Sequence, residues 1–191
     1  MIKKIGKILL GYNRIISYFE SQPTRSHTTY VNPLHIATQK IKFAEKGYTD
    51  QQIMNWENYP GESVDIEYLR GNDLMKKYIT NKLDPAILDE QQVDQNIIGW
   101  NIQKQFPGHF TVPHYDLYHS MKNYTREEIA RFWIPLEDAK FGHALFVENE
   151  ILTDFKAGEI YDWDTEDLHA AINAGFDPRY TLLLYLKKKS V

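Results

Sequence analysis

Between Val112 and His119 the chain reads VPHYDLYH, placing two histidines and an aspartate within eight residues. On an extended strand side chains two apart share a face, so His114 and Asp116 converge, Tyr115 points away, and His119 has the wrong parity to join them. An imidazole nitrogen beside a carboxylate oxygen is a common start for a divalent metal site, yet two ligands rarely hold an ion alone. A third ligand must come from elsewhere. A local set of His114, Asp116 and His119 is the fallback, and it requires the strand to end at once. His169 is the stronger candidate, because it opens HAAINAGFDPRYTLLLYL, in which Asn173 follows by four residues, Arg179 by ten and Thr181 by twelve. The other histidines, His27, His35, His109 and His143, lack that company.

Composition narrows the chemistry. With no cysteine in 191 residues, disulfides, thiolate nucleophiles and zinc-finger sites are excluded, leaving His, Asp and Glu as metal ligands. A formal charge of -4 argues against a nucleic-acid scaffold, and Lys3, Lys4, Lys7 and Lys187 to Lys189 read as solvated tails. The opening MIKKIGKILLGYNRIISYF imitates a secretory leader, but Asn13 and Arg14 interrupt its apolar patch and no small-residue cleavage site follows, so it reads as an amphipathic segment. No run reaches membrane-spanning length, and the chain is expected to be soluble and cytoplasmic. It has no nucleophile elbow and no phosphate-cradling glycine loop.

The length suits a single domain over residues 1–191, with a mainly helical region over 1–92 buttressing a β core over 93–191. Ile36, Ile41 and Phe43 give His35 to Gly47 a helical stripe, Thr49 with Gln52 forms a capping box for a helix closed by Tyr59-Pro60-Gly61, and Asn72 caps a helix through Lys82. After Gln92 the chain changes to short β-branched and aromatic runs between turns. Strands are predicted over 97–105, 110–116, 131–136, 143–148, 159–163, 168–173 and 179–186, enough for a barrel or sandwich. A hairpin through 174–178 would pair Arg179 near Asn173, on the order of 13 Å along the strand from His169.

These pieces, His114-Tyr-Asp116, RFWIPL from Arg131, GEIYDWD from Gly158, His169-Ala-Ala-Ile-Asn173 and Arg179-Tyr-Thr181, resemble in order and spacing the iron(II)- and 2-oxoglutarate-dependent oxygenases, particularly the aspartyl/asparaginyl β-hydroxylase and proline hydroxylase branch. The resemblance covers roughly Asn96 to Leu186. It implies a double-stranded β-helix, a jelly-roll or cupin-like barrel that makes the chain mainly β with N-terminal helices. It also implies that His114, Asp116 and His169 hold Fe(II), the two neutral imidazoles and one carboxylate leaving three coordination positions open. 2-Oxoglutarate, the implied cosubstrate, would take two of these and dioxygen the third, with decarboxylation to succinate coupled to hydroxylation of an amino acid, a peptide side chain or another small molecule.

Arg179 is then expected to bind the distal carboxylate of the cosubstrate through charge-assisted hydrogen bonds, with Thr181 on the same face adding a hydroxyl. Arg131, Asn173, Tyr118 and Trp133 are further candidates for the pocket. Each has a plain structural alternative: a strand-edge charge for Arg131, backbone hydrogen bonding for Asn173, and core packing for Tyr118 and Trp133. Two other classes of function compete, a cupin-like metal- or small-molecule-binding module without turnover and an interaction protein that kept only the barrel. The pairing of Arg179 with Thr181 speaks against the first, and the presence of all three ligands against the second.

Overall fold

The protein is described by a computed structural model covering residues 1–27, 33–58, 66–69, 73–116, 123–164 and 166–189. In chain order its elements are β1 (Lys3–Lys7), α1 (Tyr12–Glu20), β2 (Arg25–His27), α2 (Pro33–Glu45), α3 (Asp50–Glu57), β3 (Ile66–Leu69), α4 (Asp73–Thr80), α5 (Pro85–Glu90), β4 (Val93–Gln105), β5 (Phe110–His114), β6 (Ile129–Pro135), β7 (His143–Val147), β8 (Glu150–Leu152), β9 (Glu159–Asp162), β10 (His169–Asn173) and β11 (Arg179–Lys188). All seven strands predicted after Gln92 form, with ends shifted by a few residues. Three strands of the first 92 residues, β1, β2 and β3, join the same sheet as the β core. The expected Asn72 cap, the Tyr59-Pro60-Gly61 stop, Tyr118 and His119 lie outside the described residues.

Two antiparallel sheets face each other, a seven-stranded one in the order β1-β9-β6-β11-β4-β3-β2 and a four-stranded one in the order β5-β10-β7-β8. This is a double-stranded β-helix. Strand alternation divides the large sheet cleanly: Phe132 and Ile134 of β6 and Leu182, Leu184 and Leu186 of β11 pack with Ile15 and Phe19 of α1, Ile79 of α4 and Leu88 of α5. The opposite parity, Arg131 and Trp133 on β6 and Arg179, Thr181, Leu183 and Tyr185 on β11, therefore points between the sheets. One end of that space is apolar, where Trp133, Phe155, Tyr161 and Trp163 meet Leu145 and Val147. On the far side of the small sheet, Phe43 of α2 and Ile53 and Trp56 of α3 cover Val112 and Tyr115.

Two departures from regular pairing matter for the site. The register between β5 and β10 slips from His114–His169 to Thr111–Ala171, three residues against two, which marks a bulge at Val112-Pro113. A bulge is where a strand accepts proline, and here it turns His114 to the same side as Thr111, whose hydroxyl accepts from the Ala171 N–H across the strands. The second departure corrects the expected hairpin. β10 pairs with β7, placing Asn173 opposite His143, whereas β11 pairs with β4, placing Arg179 opposite Gln105. The segment 174–178 thus crosses from one sheet to the other. It passes so close to Gly142, which has φ +83°, that a Cβ there would fall 2.1 Å from the Gly175 nitrogen.

Candidate metal centre

His114 ends β5, His169 begins β10, and the two are directly paired. Each imidazole has its Nδ1 near the carbonyl two residues upstream, 2.7 Å from Val112 O for His114 and 3.1 Å from Asp167 O for His169. A carbonyl only accepts, so Nδ1 carries the proton in both rings and Nε2 keeps the lone pair. The Nε2 atoms lie 3.9 Å and 3.7 Å from Oδ1 of Asp116, and the two rings are 4.4 Å apart. One ligand atom from each residue falls within a 4.8 Å cluster, the group among the described residues suited by residue type and spacing to hold an ion. Adjacent ligands of an octahedral ion stand roughly 3 Å apart, so sub-ångström movements of side chains would close this group on a metal. Two imidazoles and one carboxylate on one side of the ion are the donor set of a non-haem iron(II) site.

The backbone between the ligands is held from outside the sheet. Gln39 of α2, fully buried, donates from Nε2 to Tyr115 O at 2.6 Å and accepts the Tyr115 N–H at 3.0 Å. Trp56 of α3 donates to Pro113 O at 2.8 Å. Sequence reasoning missed Gln39. The available signal was a polar residue inside the apolar stripe of Ile36 and Phe43.

Arg131 is buried at 3 % exposure rather than lying on a strand edge. Its Nη1 makes an ion pair with Oδ2 of Asp116 and donates toward His169 Nε2 at 3.3 Å, while its guanidinium carbon lies 4.0 Å from the centre of the Trp163 ring. Trp163 in turn meets the His169 ring edge-on. Neither Nε nor Nη2 of Arg131 has a hydrogen-bond partner among the described residues, and burial pulls its pKa down to about 10.

Arg179 is equally buried at 5 % exposure, and its Nη1 crosses the inter-sheet space to donate to Ala144 O at 2.9 Å and toward Ile172 O at 3.4 Å. It sits three residues along β10 from His169, about 10 Å away at strand rise. Its Nε has no partner among the described residues, and desolvation alone lowers its pKa to about 10. A buried cation facing only carbonyl dipoles is costly, and an anion would satisfy it. Thr181 is buried on the same face, opposite Gln103. Asn173 has its amide fully engaged, donating to Gln105 O and Asp177 O and accepting from the Gly175 N–H, which pins the crossing segment. Trp133 stacks edge-on against Phe155 and Tyr161 in the apolar end.

No protein-family model matches the chain, and no curated protein matches it in sequence. Solved structures do resemble it in fold. EvdMO1 superposes with a TM-score of 0.54 at 11 % identity over 99 % of this chain and 47 % of its own, so this chain spans about half of that protein. The viral collagen prolyl hydroxylase vCPH from Paramecium Bursaria Chlorella virus-1 gives a TM-score of 0.49 at 12 % identity, covering 88 % of this chain and 98 % of its own. The non-heme alpha ketoglutarate dependent epimerase SnoN from nogalamycin biosynthesis gives 0.47 at 13 % identity, covering 93 % and 82 %. The sheet topology makes this chain a double-stranded β-helix protein. No helix of the described residues is long and apolar enough to cross a membrane.

Proposed function

We propose that the protein is an iron(II)- and 2-oxoglutarate-dependent dioxygenase that hydroxylates an amino acid, a peptide side chain or another small molecule. One observation carries this reading: the His114, Asp116 and His169 group and the buried guanidinium of Arg179, which meets no carboxylate among the described residues, share the space between the sheets. His114 and His169 would hold the metal through Nε2 and Asp116 through Oδ1. When bound, iron and 2-oxoglutarate supply the oxidising chemistry, in which dioxygen gives one atom to succinate, with loss of carbon dioxide, and the other to a C–H bond of the substrate.

The chain's own residues bind and orient. Arg179 offers its Nε–H, unpartnered among the described residues, to a distal carboxylate, and Thr181 adds a hydroxyl beside it. Arg131 presents its Nε and Nη2 edge as a second anion-binding face next to the ligands, suited to a carboxylate of cosubstrate or substrate. Trp163 and the large-sheet strands cover the His169 and Arg131 side of the group, which strengthens the charged contacts made there.

The test is succinate formation by purified protein supplied with iron(II), 2-oxoglutarate and a panel of amino acids and peptides. Turnover that requires both iron(II) and 2-oxoglutarate supports the reading. Metal binding with no response to 2-oxoglutarate or N-oxalylglycine would point instead to a binding module, and no metal binding at all would remove the reading.

A further inference from the structure

The strand ladder that carries the ligands stops one residue too early. β5 is the edge strand of the small sheet and its pairing with β10 ends at His114 and His169, so the next residue, Tyr115, has no strand neighbour among the described residues for its N–H and C=O. Tyr115 is nevertheless buried at 2 % exposure. Buried backbone groups without partners are strongly disfavoured. Gln39 supplies both partners at once, and its carboxamide, with one donor and one acceptor in a plane, reproduces what a peptide group of a neighbouring strand would present. Asp116 is the residue that follows.

We infer that Gln39 is a positioning residue for the metal centre: by clamping the peptide groups on both sides of Tyr115, it fixes where Asp116 presents its carboxylate relative to His114 and His169. This rests on the reading of those three residues as metal ligands. A second tie from the same helix, Lys42 to Glu166 at 3.2 Å, reaches the segment just before His169, but Glu166 is about half exposed and such pairs contribute little. The buried carboxamide therefore carries the effect. Methionine offers neither group, and an ionised glutamate would accept the N–H while opposing the Tyr115 carbonyl; only when protonated would glutamate do both jobs.

The experiment compares zinc(II) and cobalt(II) binding by the unmodified full chain with that of Gln39→Met, Gln39→Glu and Ile79→Ala. Ile79 is fully buried against the far face of the large sheet and lowers stability without touching the site. Zinc affinity should fall roughly 10- to 100-fold in Gln39→Met, and in Gln39→Glu at a pH high enough to ionise the new carboxyl, as when a group supporting a metal ligand is lost, and the visible bands of bound cobalt should shift. Ile79→Ala should leave both unchanged despite comparable destabilisation. Unchanged affinity and spectrum in folded Gln39 variants, or an equal loss in Ile79→Ala, would overturn the inference while leaving the metal centre intact. Absence of zinc binding by the unmodified chain would instead overturn the metal centre on which it rests. Should the Gln39 variants not fold, slow exchange of the Tyr115 amide hydrogen in the unmodified chain, slower still with zinc, is the supporting result, and rapid exchange the contrary one.

Discussion

Replacing Arg179 with methionine separates the cost of a buried cation from its use. Burial lowers this guanidinium's pKa from its ordinary range to about 10, which at 1.36 kcal/mol per pH unit amounts to roughly 3 kcal/mol paid by the folded chain. Its bonds to the carbonyls of Ala144 and Ile172 return part of this. Methionine keeps most of the volume and removes the charge, so Arg179→Met is expected to be more stable than the unmodified protein by about 1–2 kcal/mol, or about 2–8 °C in melting temperature for a chain of this size. The ligand response should move the other way. At a 2-oxoglutarate concentration near a hundred times its Kd, with manganese(II) present, the unmodified protein gains about 2.7 kcal/mol. Losing a buried charge-assisted pair costs about 3 kcal/mol of binding, which weakens Kd roughly 150-fold and leaves the variant a gain of about 0.3 kcal/mol at the same concentration. Thermal melts with and without the ligand measure both effects. A variant that is less stable than its parent yet keeps the full ligand shift would refute the reasoning, making Arg179 a strut between β11 and the small sheet rather than an anion anchor.

Single replacements His114→Ala, Asp116→Ala and His169→Ala should each weaken zinc binding by more than the roughly 10- to 100-fold that loss of a supporting hydrogen bond costs, and should abolish succinate formation; calorimetry and a coupled assay measure this. His143 is buried, and desolvation holds its imidazole below the usual 6.5, so below that pH the unfolded chain takes up more protons than the folded one. Urea midpoints should therefore fall as pH drops from about 7.5 to about 5.5, and His143→Gln should flatten that slope. Gly142→Ala should cost roughly 3 kcal/mol or more, read as lost soluble yield or a lower melting temperature, because it combines a left-handed backbone with a clash against Gly175.

The strands after Gln92 were legible because runs such as RFWIPL and TLLLYL combine β-forming residues with clear turn punctuation. β8 was not, since EIL is only three residues and opens on a glutamate, and β1 was masked by its lysines, which bracket an isoleucine-glycine pair at a sheet edge. The convergence of His114 and Asp116 followed from parity, but parity could not foresee the bulge at Pro113 that turns His114 inward. Arg131 stayed ambiguous because every residue of β6 is buried, and a strand covered on both faces gives no alternation to read. The hairpin expected at 174–178 assumed that consecutive strands pair, and the double-stranded helix sends them to opposite sheets. Gln39 stood out locally only as a polar residue in the apolar stripe of α2, and its partner lies 76 residues away, so no local pattern said what it holds.

Because the Arg179 guanidinium reaches across the sandwich and lands beside Ala144 and Ile172, its distance from the ligand cluster is counted along β10, three residues or about 10 Å, while the sheet separation sets only how far the side chain must reach. The small sheet works like a ruler on which the large sheet marks a length. Adapting it to a shorter or longer diacid would mean launching the arginine from another inward-facing position of β11, two residues at a time, whereas widening the sandwich would leave the mark where it stands.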